Sequence, residues 1–101
     1  MEKTIQRWRG RIDAIDEELL ELLNQRALLA LEVGRRKRMA KLRLRDPKRE
    51  QTILSRARER NAGPLSEAAI ARLFRAILAE SRRVQSRARG DGRNGRREIR
   101  R

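Results

Sequence analysis

Apolar residues Ile5, Trp8, Ile12, Ile15, Leu19 and Leu22 recur at alternating spacings of three and four, the seam of a long packed helix. Nothing breaks the pattern until about residue 40. Gly34 is the only weak helix former of note, and a lone glycine costs about 1 kcal/mol relative to alanine, too little to end so strong a run. The pattern therefore predicts one helix over residues 5–40. At 1.5 Å rise per residue it is about 50 Å long, more than the width of a compact domain of this size, so something beyond its own chain is needed to cover it.

Arg43 to Arg45 reads as a basic linker. Asp46 and Pro47 follow as an N-cap and a proline at the first helical position, opening a second helix. That helix runs through Ile53, Leu54 and Ala57 to Asn61, where Asn-Ala-Gly-Pro supplies a left-handed cap residue and a proline stop. Ser66 caps a third helix whose apolar face is Ile70, Leu73, Phe74, Ile77 and Leu78, and whose period continues through Ser81, Val84 and Gln85. From Arg87 to Arg101 three glycines stand among arginines with a single isoleucine, too little apolar surface to order a chain. The expectation is an all-α domain over residues 1–85 and a basic, disordered tail over 86–101.

Composition narrows the chemistry. With 101 residues there is one domain, short enough that burial within a single chain is modest. One Trp, one Phe and no Tyr leave an aliphatic core, which favours packed helices. There is no Cys and no His, which removes disulfides, thiolate nucleophiles, histidine bases and ordinary zinc or haem ligation. Met1 to Gly10 carries charges every few residues and no apolar core segment, unlike a signal peptide or membrane anchor, so a cytoplasmic protein is expected. The formal net charge of +14 points to anionic partners. From Ser86 onward seven Arg stand against Asp91 and Glu98, so +5 lies in the tail and +9 in the first 85 residues.

Polar residues interrupt the apolar faces at several positions. Extending the first seam past Leu22 lands on Arg26, then Leu29 and Val33, so a guanidinium stands where the period calls for a hydrophobe. It either snorkels or joins a structural ion pair, or it faces an anion inside the bundle. Lys37, eleven residues on, projects from nearly the same face about 16 Å along the axis. Ser81 and Gln85 replace hydrophobes at the end of the third helix, which taken alone reads as a helix end becoming wet. Arg49 and Glu50 stand in the first turn of the second helix beside Asp46, which alone reads as a capped terminus with solvated charges. Together, three helices turn polar ends towards what can be one pocket. It suits a small dianion with a hydroxyl, offers no obvious nucleophile, and fits a reaction that needs only orientation and charge stabilisation.

Arg9-Gly-Arg-Ile-Asp-Ala-Ile-Asp-Glu17, Leu19-Leu to Arg26, Glu32-Val-Gly-Arg-Arg-Lys37, Asp46-Pro-Lys-Arg-Glu50 and Leu73-Phe to Gln85 resemble, in order and spacing, the AroQ-type all-helical chorismate mutases. The resemblance covers about residues 5–85. It implies a three-helix chain whose long first helices pair antiparallel in an intertwined homodimer, and conversion of chorismate to prephenate for phenylalanine and tyrosine biosynthesis without a cofactor or metal. It implies that Arg26, and Arg9 from the other subunit, contact the substrate carboxylates. Lys37 and Gln85 are implied to donate to the ether oxygen, and Glu50 to hold the ring hydroxyl. Asp46, Arg49 and Ser81 are implied to line the same pocket. Two features depart from the family: Arg82, on a pocket-facing helix that is often apolar there, and the arginine-rich tail.

The physics of the implied reaction agrees with such a residue set. An intramolecular pericyclic step requires only that the reactive conformer be selected and partial charge on the ether oxygen be stabilised. Two other readings compete. An isochorismate pyruvate lyase on the same fold uses a similar Arg and Lys clamp, though Asp46, Arg49 and Glu50 fit the mutases better. Nucleic-acid binding is suggested by the charge, but the chain lacks a stacking platform and helix-turn-helix spacing.

Overall fold

The unbroken seam of the N-terminal third becomes one helix of 38 residues, α1 (Glu2–Met39). It starts a few residues before the apolar pattern does, with Ile5 N–H bonded to the Met1 carbonyl at 3.1 Å and Glu2 placed to complement the positive end of the helix dipole. Two shorter helices follow, α2 (Pro47–Arg60) and α3 (Glu67–Gly90). The computed structural model describes residues 1–90, with side chains through Arg87, and contains no strand among them.

The end of α1 differs from expectation in its cause. Neither Gly nor Pro stops it. Lys41 adopts φ 58°, in the left-handed region, and Leu42 N–H then reaches back to the Lys37 carbonyl at 2.7 Å. This is the six-to-one bond of a Schellman closure, made here by a lysine where glycine is usual. The turn from Ala40 to Asp46 is accordingly longer than the three-residue linker expected.

The start of α2 follows the sequence reading. Asp46 Oδ1 accepts from Arg49 N–H at 3.1 Å, and Pro47 takes the first turn, where no N–H is needed. Its end also finds a left-handed residue within Asn-Ala-Gly-Pro, though not at the cap position itself. Asn61 is extended (φ −73°, ψ 118°), and the left-handed residue is Gly63 at φ 81°. The Asn61 amide instead bridges the turn, accepting from Gly63 N–H at 3.0 Å and donating to the Leu65 carbonyl at 2.8 Å.

Ser66 caps α3 by accepting from Ala69 N–H at 3.1 Å. The helix runs on through Gly90, so the first part of the segment expected to be disordered is helical. Arg and Ala are strong helix formers, and Gly90 is the first residue there that disfavours the helix. The rest of the expected tail, 91–101, lies outside the described residues.

The packing centres on α3, which lies against α1 on one side and α2 on the other. Leu31 of α1 and Ala71 and Leu78 of α3 are the buried hydrophobic residues among those described, all in the C-terminal part of α1 or on α3. The molecule measures 58 × 33 × 14 Å, its length that of α1. The N-terminal seam is uncovered: Trp8, Ile12, Ile15, Leu19 and Leu22 are each more than half exposed. No helix among the described residues is long and apolar enough to cross a membrane.

Candidate functional site

A cavity of about 390 Å³ opens where the C-terminal part of α1, the first turns of α2 and the C-terminal part of α3 converge. Arg26 and Lys37 reach it from α1, Asp46, Arg49 and Glu50 from the start of α2, and Ser81 and Gln85 from α3. Seven of the eight residues singled out from sequence therefore share one wall. Leu29, Val33, Ile53 and Leu78 supply its apolar surface.

Several of the polar groups are held by local structure. The Arg26 guanidinium is half-buried and donates to Ser81 Oγ, tying α1 to α3. The guanidinium is thus turned towards α3. Lys37 Nζ donates to the Leu44 carbonyl at 3.3 Å, so the turn closed by Lys41 folds back onto the same wall. Gln85 lies against Gly34: a Cβ built on that glycine would stand 3.1 Å from the Gln85 Cα. The Asp46 carboxylate has a second duty as the cap of α2.

Arg82, which departs from the family pattern, lines the cavity too. Its Nη1 lies 2.7 Å from both carboxylate oxygens of Glu50, joining α3 to α2 across 32 residues of sequence. The sequence holds a signal for this. Arg82 is four residues after Leu78 and three before Gln85, on the pocket side of its helix, where a cation needs a partner. The lining carries four cations, Arg26, Lys37, Arg49 and Arg82, against the carboxylates of Asp46 and Glu50, a formal balance of +2.

Arg9 is the residue that the fold does not bring to this cavity. It is exposed on the first part of α1, and the 28 residues from it to Lys37 correspond to about 42 Å of continuous helix. Gly34 and the Leu44 carbonyl are positions that sequence reasoning left without a role in the site.

The arrangement can hold a small dianion and direct several hydrogen-bond donors at it. The chain matches known proteins over most of its described length. The chain fits the model of chorismate mutase type II over residues 8–86. It is 40% identical over 77 residues to the bifunctional chorismate mutase/prephenate dehydratase of Neisseria gonorrhoeae, covering 76% of this chain and 21% of that protein. It is 42% identical over 77 residues to the enzyme of the same name from Pseudomonas aeruginosa, covering 70% and 21%. The chain thus spans about a fifth of the length of the curated relatives it matches. Among solved structures, chorismate mutase (Form II) from Thermus thermophilus superposes with a TM-score of 0.80 at 35% identity, covering 82% of this chain and 94% of that one. Form I from the same organism gives 0.75 at 36%, covering 76% and 96%. With its three-helix fold and its matched span in agreement, the chain belongs to the chorismate mutase type II family.

Proposed function

We propose that this chain rearranges chorismate to prephenate, and that it does so as an antiparallel homodimer in which Arg9 of one subunit completes the cavity of the other. The observation that carries the reading is the cavity lining, a net +2 wall with directed donors, in a chain without Cys or His. In this reading Arg26 and the partner's Arg9 bind the two carboxylates and so select the folded conformer, in which the bond-forming carbons are close. Lys37 and Gln85 donate to the ether oxygen, where negative charge develops as its bond to the ring breaks. Glu50 accepts from the ring hydroxyl, and Asp46, Arg49 and Ser81 complete the wall. No covalent intermediate is needed, because bonds break and form within one molecule; the protein supplies orientation and preorganised charge. Membership of the family supports the substrate assignment.

The homodimer is supported by the uncovered α1 seam and by an apolar groove of about 720 Å³ between α1 and α3, bordered by Leu23, Leu28, Leu31, Ile77 and Val84. An antiparallel second copy would bury these and bring an N-terminal segment to the cavity. A cytoplasmic setting is part of the same reading. The purified chain, given chorismate, is expected to consume its absorbance and yield prephenate with no release of pyruvate. Pyruvate as the product, or intact chorismate, would overturn the proposal.

A further inference from the structure

We propose that Arg82 is a positioning residue of this cavity: it fixes the Glu50 carboxylate against the wall in the orientation that accepts a substrate hydroxyl. The inference rests on the reading of the cavity given above and adds a residue and a role to it.

Glu50 is a long side chain in the first turn of α2, and its side chain is 21% exposed, facing the cavity rather than bulk water. Arg82 Nη1 contacts Oε1 and Oε2 equally, at 2.7 Å each. One nitrogen bridging both oxygens constrains where the carboxylate lies and how it is rotated. A carboxylate has about four lone-pair directions, so two remain to accept from a ligand hydroxyl. The pair also offsets a negative charge that would otherwise oppose a dianion entering the same cavity. Arg82 itself is 38% exposed, and its guanidinium meets the less exposed Glu50 carboxylate.

The geometry makes a distinctive demand. A fork-to-fork pair, with two nitrogens on two oxygens, cannot be reproduced by lysine, but a single bridging nitrogen can be. Arg82→Lys should therefore retain most of the function and Arg82→Met should lose it. Steady-state kinetics with chorismate are expected to show kcat/KM about tenfold lower in Arg82→Met. Arg82→Lys should recover to within about threefold of the parent. In a Glu50→Gln background, adding Arg82→Met should change kcat/KM by less than about threefold, since the residue it positions is already altered. Arg82→Gln gives the same comparison should the Met variant aggregate. A parent that turns over chorismate beside a neutral Arg82→Met overturns this inference alone. So does an equal loss in both backgrounds, which would mark a general effect on packing. A parent inactive on chorismate removes the functional reading and this inference with it.

Discussion

Gly34 and Gln85 meet at close range between α1 and α3: a Cβ added to the glycine would stand 3.1 Å from the Gln85 Cα, 3.2 Å from its Cβ and 3.3 Å from its Cγ. The first of these contacts is with backbone, which yields only if α3 moves. Alanine favours the helix over glycine by about 1 kcal/mol, and this opposes the cost of moving α3. Gly34→Ala is therefore expected to leave the stability in urea within about 1 kcal/mol of the parent while displacing Gln85 by a few tenths of an ångström. Against an ether oxygen that tolerates little misplacement, kcat/KM should fall by about three- to tenfold. Full activity in that variant would show that Gln85 does not need its present distance.

Gln85 also gives a test by pH. A neutral amide donates at any pH, whereas a carboxyl donates only when protonated, and an ordinary Glu titrates near pH 4.3. Gln85→Glu should lose activity at neutrality and regain part of it as the pH falls, with the parent measured at each pH for comparison. A profile parallel to the parent's would remove Gln85 from the role of donor.

Shared sites have a signature in mixtures. Arg9→Ala and Lys37→Ala should each be strongly impaired as homodimers. A heterodimer of the two joins the intact Lys37 of one chain to the intact Arg9 of the other, so co-expression with random pairing should restore roughly a quarter of all sites. Mixed dimers, once isolated, that are no more active than either parent would argue against an Arg9 donated across the interface.

Lys41 carries a conformational cost that can be removed. An L-residue in the left-handed region is disfavoured by roughly 1–2 kcal/mol, while glycine adopts it freely and loses part of the gain through its more flexible unfolded chain. Lys41→Gly should stabilise the protein by about 0.5–1 kcal/mol in urea denaturation. Because this turn leads to the Leu44 carbonyl that Lys37 holds, turnover is a second readout, and it should stay close to the parent's.

Much of this is legible in the chain before folding. The three-four spacing from Ile5 to Leu22, the Asp46-Pro47 start and the Ser66 cap are local signals, and local geometry realises them. Arg26, Ser81 and Gln85 stand out because each replaces a hydrophobe on an apolar face, and all three face one cavity. The features that escape are those decided elsewhere. The close of α1 at Lys41 has no glycine or proline to announce it. Arg82 is unusual in the sequence, but its partner lies on another helix, 32 residues away. Gly34 reads as a tolerated weakness within α1, because its value lies in what approaches from α3. Helix α3 outlasts the point where composition predicts a tail, since glycine content averaged over the segment hides the helix formers that precede Gly90.

Leu31, Ala71 and Leu78 form too slight an interior to hold 38 residues of helix in place by themselves. If the α1 seam is buried only by a second copy, acquiring tertiary structure and finding a partner are one event, and the refolding reaction is second order in chain. Its rate should then rise with protein concentration and its denaturation midpoint shift with dilution, as neither does for a self-sufficient monomer.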